Sequence, residues 1–151
     1  MSRPIATNKK AYQNFFLSDN IECGIALTGG EVKSIRAGEV NFADSFARME
    51  EGELYLYSLH IAPYAQASYL NDDPDRKRKL LLHKREVKRL IGLVAQKKVT
   101  LIPTKIYINK RGFIKIELAL ARGKKLYDKR EDIKQRDIQR EVKRATKAFK
   151  R

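Results

Sequence analysis

Residues 114–120 alternate between apolar and polar or small side chains with a strict two-residue period. Lys115, Glu117 and Ala119 separate four apolar positions, which are Ile114, Ile116, Leu118 and Leu120. Because successive side chains of a β-strand point to opposite faces, this pattern predicts a strand with one face in the core. Residues 21–27 repeat the pattern, and their apolar face comprises Ile21, Cys23, Ile25 and Leu27. The chain is therefore predicted to build its core mainly from strands.

Turn residues divide the remaining apolar stretches into further strands. Strands at about 42–49 and 54–61 flank "EEGE", where Gly52 predicts a hairpin. The stretches "TLIPTKIYI" and "GFIKIELALA" predict a second strand pair, which turns at residues 110–112. The polar segment "NDDPDRKRK" is expected to be a loop on the surface.

Helical spacing occurs in two places between these strands. A short helix is predicted between Gly30 and Gly38. A longer one is predicted over residues 84–97, with Glu86 three residues after His83 as in a capping box. Its core positions, at i, i+3, i+4 and i+7, are Val87, Leu90, Ile91 and Val94. This order of elements favours a small, mostly antiparallel β-barrel that carries helices.

The charge balance predicts a polyanionic partner. The 151 residues include 33 Lys and Arg against 18 Asp and Glu, a formal net charge of +15. Nucleic acid, an anionic membrane and an acidic protein are the three candidates, and nucleic acid is the commonest partner of domains this basic. The apolar runs are too short for a spanning helix, and the N-terminus lacks the apolar region of a signal peptide. A cytoplasmic protein is expected.

The sequence offers little support for catalysis. It has no phosphate-binding loop, no dinucleotide-binding glycine pattern and no pair of histidines at metal-ligand spacing. His60 and His83 are isolated in the sequence, and Cys23, the only cysteine, alternates with inward-facing isoleucines. We expect a protein that is not an enzyme and uses no cofactor or metal.

Two clusters of basic residues are candidates for phosphate binding. The first holds one acid, Glu86, among eight bases, which are Arg76, Lys77, Arg78, Lys79, Lys84, Arg85, Lys88 and Arg89. The alternative for this cluster is a solvated helix face. The second cluster, in "ARGKKLYDKR", comprises Arg122, Gly123, Lys124 and Lys125 beside Tyr127. Tyr127 either stacks on a base or closes the edge of the core.

Glu22 stands out because a carboxylate repels phosphate. It shares a strand face with Gly24 and Ala26, where little would cover it. Such a carboxylate can accept hydrogen bonds from base amino groups or 2′-hydroxyls, which gives selectivity instead of affinity. The alternative is an edge charge that discourages aggregation of the sheet.

The last segment of the chain is highly charged and has few apolar residues. Residues 128–151 contain ten basic and five acidic side chains. One narrow helical stripe remains, formed by Ile138, Val142, Ala145 and Phe149. The segment is expected to be helical or disordered until a partner orders it, because it has too little apolar area to offset its conformational entropy.

Seven motifs occur in an order that resembles one known family. They are "NKKAY", "ECGIALTGGEVKSIRAG", "DSFA", "HIAPY", "RKRKLLLHKREV", "TLIPTKIY" and "GKKLYDKR". From about Asn8 onward the chain resembles the SsrA-binding protein family, also called small protein B. The resemblance implies an oligonucleotide-binding (OB-like) barrel over residues 1–126 and a ribosome-engaging tail over 127–151. It also implies a monomer of the bacterial cytoplasm.

The resemblance further implies a role in trans-translation, the rescue of stalled bacterial ribosomes. A member would bind the tRNA-like domain of transfer-messenger RNA and support its alanylation by alanyl-tRNA synthetase. With elongation factor Tu, it would accompany that RNA to ribosomes whose decoding site is empty. The family's RNA-binding residues correspond to Asn8, Glu22 and Leu82. Tyr127, Asp128, Lys129 and Arg130 would reach the decoding site, and the rest of the tail would form a helix in the messenger channel.

Two alternatives belong to other classes. A ribosomal or ribosome-assembly protein would share the size, the charge and the basic tail. A membrane-surface or acidic-protein adaptor would use the stripe at 138–149 as an amphipathic helix, although acidic residues interrupt it.

Overall fold

A computed structural model describes residues 4–64, 73–124 and 126–149. Within these ranges the strands are β1 (Pro4–Thr7), β2 (Phe15–Ile25), β3 (Val40–Asn41), β4 (Phe46–Glu50), β5 (Glu53–Tyr57), β6 (His60–Ile61), β7 (Arg78–Leu81), β8 (Thr100–Ile108) and β9 (Ile114–Gly123). The helices are α1 (Lys9–Asn14), α2 (Gly29–Arg36), α3 (Lys84–Lys97) and α4 (Leu126–Phe149). None of these described helices is long and apolar enough to cross a membrane.

Six of the strands close into a ring. Their order is β8, β4, β5, β7, β2 and β9, and β9 pairs back with β8. Every one of these pairs is antiparallel. Strand β1 adds to the far end of β8, beyond the part that pairs with β4. The predicted small antiparallel barrel with helices is confirmed.

The alternating stretches form the wall of the barrel, and their apolar faces form its core. Strand β2 pairs with β9 so that Cys23 lies opposite Ile116, and both are fully buried. Burial raises the pKa of the Cys23 thiol to about 12, so this residue is an inert part of the core. The predicted turn between β8 and β9 is also present, with Gly112 at φ +82.

The first hairpin forms at Gly52 but is shorter than predicted. Glu51 and Gly52 adopt φ values of 51° and 78°, which places both turn residues in the left-handed region that tight hairpins favour. The predicted strand at 42–49 begins only at Phe46, and the one predicted at 54–61 ends at Tyr57. Ser58, at φ 61°, interrupts the second strand before β6.

Helix α3 has the predicted bounds, but two details of the prediction are wrong. His83 occupies the N-cap position without a side-chain hydrogen bond, so there is no capping box. Ile91 is exposed, whereas Leu90 is fully buried, and Leu93 and Val94 pack against the core. The capping box of this protein lies in α2 instead. There Thr28 Oγ1 accepts from the Glu31 amide, and a Glu31 carboxylate oxygen accepts from the Thr28 amide.

Helix α4 extends from the end of β9 and contacts α1. The Arg136 guanidinium donates to the carbonyl of Tyr12 at 3.2 Å, and the Lys124 amide donates to the carbonyl of Asn14 at 2.9 Å. Ile133, Ile138 and Val142 each remain at least half exposed. These three apolar side chains of α4 therefore bury little surface, as the composition of the segment predicts.

Candidate nucleic-acid interface

Glu22 and Leu82 lie 60 residues apart in sequence but line one open cleft of about 480 Å³. The antiparallel pairing of β2 with β7 brings them together, because Gly24 lies opposite Leu81. A Cβ atom on Gly24 would be 3.2 Å from the Leu81 Cβ, so a glycine permits this close approach. The remaining lining residues are Gly24, Leu81, His83, Glu86 and Lys115.

The Glu22 carboxylate is held in a defined orientation. It accepts a hydrogen bond from the hydroxyl of Tyr107 on β8. Burial raises the pKa of Tyr107, and the hydrogen bond to Glu22 raises it further, so the tyrosine remains a donor at neutral pH. Glu117 lies directly opposite Glu22 in the ladder and is balanced by Lys105 at 3.2 Å. No local sequence pattern indicates Tyr107, which meets Glu22 only because β9 pairs with both β2 and β8.

Unpaired positive charge lies on α3, next to this cleft. Lys84, Arg85 and Lys88 are exposed and line an open depression of about 640 Å³ with His83 and Glu86. Within the described residues, none of the three cations forms an ion pair. They are therefore free to neutralise phosphates.

The basic residues at 76–79, by contrast, are already paired with carboxylates. Lys77 lies 2.8 Å from Glu50, and Lys79 lies 2.9 Å from Glu53. These two lysines are half exposed and can still exchange their partners for phosphate. The first half of the predicted cluster is nonetheless much less positive than its sequence indicates.

Arg78 requires a correction, because it is fully buried. Its Nε donates to Glu31 at 2.6 Å, and its Nη1 donates to the carbonyl of Leu59 at 2.6 Å. The side chain has no surface to offer a phosphate, so the prediction that Arg78 contacts RNA directly is wrong. Arg76 binds the same carboxylate, and this makes Glu31 the centre of a two-arginine cluster.

Asn8 is also buried and holds the start of α1. Its Oδ1 accepts from the Ala11 amide at 3.2 Å, and its Nδ2 donates to the Pro103 carbonyl at 2.8 Å. It lines a second cleft, between α1 and the loop before β4, which does not include Glu22 or Leu82. The structure thus brings two of the three family-matched residues together and places Asn8 at another cleft.

Arg122, Gly123 and Lys124 lie at the end of β9, around an exposed aromatic ring. The Arg122 Cζ is 5.5 Å and the Lys124 Nζ 5.0 Å from the ring centroid of Phe16, which is 43% exposed. An exposed ring between two cations can stack on a base while the cations bind its backbone. Phe16 was not among the predicted interface residues, although it lies directly opposite Arg122 in the pairing of β2 with β9.

The predicted decoding-site residues fall at the start of α4. The backbone of Tyr127, Asp128, Lys129 and Arg130 is helical. Arg130 is exposed, while the side chains of Tyr127, Asp128 and Lys129 lie outside the described residues, as does the whole of Lys125.

The closed antiparallel barrel carries an oriented carboxylate, a helix with unpaired cations and an exposed aromatic ring between two cations. These features together define a class of protein. It is that of small nucleic-acid-binding proteins with an OB-like barrel. Comparison with known proteins then gives the family. The family model described as "SmpB protein" matches residues 5–148, and the chain belongs to the SmpB family.

Relatives of high identity cover nearly the whole chain. An SsrA-binding protein of Caldicellulosiruptor bescii is 58% identical over 97% of this chain and 92% of its own length. One from Thermoanaerobacter pseudethanolicus is 59% identical over 91% of this chain and 88% of its own. A solved structure described as "tmRNA-SmpB: a journey to the center of the bacterial ribosome" is 57% identical, with a TM-score of 0.69 over 82% of this chain and 87% of that chain.

Proposed function

We propose that this protein binds the tRNA-like domain of transfer-messenger RNA and acts with it in trans-translation. Family membership supports the proposal, because the relatives carry the name SsrA-binding protein. The observation that carries it is the shared cleft of Glu22 and Leu82 beside the unpaired cations of α3. Those two residues match the RNA-binding positions implied by the resemblance.

Selectivity and affinity have separate sources in this proposal. Glu22, aimed by Tyr107, accepts hydrogen bonds from base amino groups or 2′-hydroxyls. Leu82 packs against the core and shapes the floor of the cleft. The α3 cations, Lys77 and Lys79 on β7, and Arg122 and Lys124 beside Phe16 neutralise phosphates. Arg76 and Arg78 act indirectly, by holding β7 against α2 through Glu31.

The remaining parts of the proposal concern the ribosome. The body, residues 1–126, holds the RNA, supports its alanylation and accompanies it with elongation factor Tu as a monomer in the bacterial cytoplasm. The tail, residues 127–151, enters the empty decoding site with Tyr127, Asp128, Lys129 and Arg130, and its helix follows the messenger channel. The long, charged α4 with its exposed apolar residues supports this role, because such a helix is suited to a partner lined with RNA phosphates.

Equilibrium binding tests the proposal. The full chain is titrated with the tRNA-like domain and with an rRNA hairpin of equal length, at about 150 mM salt so that non-specific binding is weak. We expect a clear preference for the tRNA-like domain, which Glu22→Ala reduces even though it removes a negative charge. Glu39→Ala is the matched control, because Glu39 is an exposed carboxylate away from the cleft. Equal binding of both RNAs would favour a ribosomal or assembly protein, and a tighter Glu22→Ala complex would make Glu22 a repulsive bystander.

A further inference from the structure

The C-terminal end of α1 is the place where the helix of the tail contacts the body of the protein. Helix α1 has six residues and ends at Asn14, after which Phe15 adopts an extended conformation and begins β2. The last four carbonyls of a helix have no partner within that helix. The Phe15 amide donates to the first of the four, that of Ala11. The carbonyls of Tyr12 and Asn14 therefore need donors from another part of the chain.

These donors come from the chain that follows β9. The Lys124 amide donates to the Asn14 carbonyl at 2.9 Å. The Tyr12 carbonyl accepts from two cationic side chains, with Lys124 Nζ at 3.4 Å and Arg136 Nη2 at 3.2 Å. The last turn of α1 has no basic residue of its own, so these two cations supply the positive charge that stabilises the C-terminal end of a helix.

Arg136 differs from its neighbours in α4 because it is partly buried. Every other residue from 133 to 147 is exposed, including Arg140 one turn further along the helix. A long cationic side chain on an exposed helix normally keeps its charged end in water. The partial burial of Arg136 against a backbone carbonyl indicates that its contact lies within the protein.

The contacts with α1 enclose the residues assigned to the decoding site. Residues 127–130 lie between Lys124 and Arg136 in the sequence, and the side chains of both bond the Tyr12 carbonyl. At a rise of 1.5 Å per residue, the helix from 126 to 136 spans about 15 Å, or about three turns. The first turns of α4 are therefore held against the body at both ends.

Polar contacts set the direction of α4, because its apolar residues contribute little. Ile133, Ile138 and Val142 are each at least half exposed. A long helix attached to the barrel at one end alone would sample many directions and would lose that freedom on binding a partner. A second attachment at Arg136 removes much of this cost before binding.

We infer that Arg136 is a positioning residue, which anchors α4 to the C-terminal end of α1 and so sets the direction in which the tail leaves the barrel. Its target is the protein's own Tyr12 carbonyl and not an RNA phosphate. The inference rests on the proposed function for its consequence, which is that a correctly directed tail engages the ribosome efficiently. The anchor itself is a property of the free protein.

Distances between two spin labels test the anchor in the full chain without RNA. The labels are attached to Ser18→Cys on β2 and Lys147→Cys near the end of α4, where both positions are exposed, while Cys23 is buried and stays unlabelled. We expect a narrow distribution of distances in the parent and a clearly broader one in Arg136→Ala. Arg140→Ala is the matched control, because it removes an exposed cation, and it should keep the narrow distribution. Equal widths in the two variants would overturn the inference.

A peptide-tagging assay tests the consequence of the anchor. Arg136→Ala should leave affinity for the tRNA-like domain unchanged, while the tagging rate falls about 3- to 10-fold, the value of one hydrogen bond. Arg136→Lys keeps a donor for the Tyr12 carbonyl and should retain most of the rate. If Arg140→Ala lowers tagging as much as Arg136→Ala does, the loss reflects the charge of the tail, and the inference is overturned.

The two measurements separate this inference from the proposed function. If the protein does not prefer the tRNA-like domain, the proposed function fails, and the spin-label distances still decide whether Arg136 anchors α4. If Arg136→Ala broadens the distances but tags at the parent rate, the direction of the tail has no consequence for tagging. That result would overturn the positioning role and leave the proposed function intact.

Discussion

Replacing Glu31 by Gln should strongly destabilise the protein, because within the described part of the chain Glu31 is the only carboxylate bonded to the buried Arg78. Arg78 is fully buried, and the Glu31 side chain is 8% exposed. Burial alone would raise the pKa of Glu31, but hydrogen bonds from Arg76, the Thr28 amide and Arg78 lower it below its ordinary value. Gln keeps the shape of the side chain and can still accept from the Thr28 amide, so the capping box survives. The substitution therefore removes the charge and also replaces Oε2, which accepts from the Nε groups of Arg76 and Arg78, with an amide group that can only donate.

The magnitude follows from the burial of Arg78. Removing one member of a buried ion pair leaves the other charge uncompensated, which costs about 3–5 kcal/mol. That is a large share of a typical total of about 5–15 kcal/mol. With a urea m-value of about 2 kcal/mol/M, the unfolding midpoint should fall by about 1.5–2.5 M. Arg76→Ala, which removes the more exposed partner of Glu31, should cost only about 1 kcal/mol.

Urea unfolding of the single variants and of Glu31→Gln with Arg78→Met gives the test. The double variant should regain part of the loss, because methionine fills the space without a charge. The recovery of stability should be incomplete, because the buried Leu59 carbonyl loses the hydrogen bond that Arg78 donates to it. The Pro74 carbonyl, in contrast, still accepts a hydrogen bond from the Ile61 amide. A Glu31→Gln protein that unfolds at the same urea concentration as Arg76→Ala would refute the reasoning.

The same carboxylate gives a pH dependence with a definite sign. The folded pKa of Glu31 is lower than its ordinary value of 4.5, so the unfolded chain takes up the proton first on acidification. The stabilisation is fully present above pH 4.5 and is lost as the pH falls through the folded pKa. Below pH 4.5 the parent should lose stability more steeply than Glu31→Gln, because the variant has no such proton to bind.

Three further predictions concern binding. Tyr107→Phe should weaken specific RNA binding several-fold by freeing the Glu22 carboxylate, with an unchanged salt slope; a slope that falls would mean that Tyr107 acts on phosphates. Lys84→Ala and Lys88→Ala should each lower the salt slope by up to about one unit. Lys77→Ala should lower the slope less, because Lys77 already pairs with Glu50. Equal effects of the three substitutions would show that the Lys77–Glu50 ion pair breaks on binding. Deleting residues 127–151 should leave affinity for the tRNA-like domain nearly intact while abolishing peptide tagging in a trans-translation assay, and a comparable loss of both would refute the division into body and tail.

The strands that the sequence predicted best are those whose burial is set by their own alternation. The inward faces of β9 and of the second half of β2 follow from a two-residue period, although Ala119 and Ala121, on the opposite face of β9, are buried as well. The strand predicted at 54–61 extends beyond the observed β5 because Ser58 adopts a left-handed φ. Serine seldom adopts this conformation, so the sequence does not indicate the interruption. Ile91 was assigned to the core because the helical period leaves both Leu90 and Ile91 near one face, and only packing against the barrel decides between them.

The site was harder to predict because charge pairing depends on topology. Nothing local distinguishes Arg78 from Lys84, yet one is buried on Glu31 and the other is exposed. Tyr107 was missed for the same reason, since its contact with Glu22 spans two strand pairings. The Thr28–Glu31 capping box, however, lies at a spacing that the sequence does reveal, and it could have been predicted.

The distribution of paired and unpaired cations has a consequence for how RNA approaches. On the face formed by β4, β5 and β7, carboxylates hold the cations: Glu50 binds Arg48 and Lys77, and Glu53 binds Lys79. That face is nearly balanced in charge, although its sequence is rich in bases. The excess of +15 therefore lies elsewhere, with +4 on α3, +3 on α4 and +7 on residues 98–125, which include β8 and β9. Because the field of unpaired charge steers a polyanion over a Debye length of about 8 Å, RNA should first meet α3 and β9, which both border the Glu22 cleft. The acidic residues of the barrel thus orient the RNA by neutralising the basic residues that would compete for it.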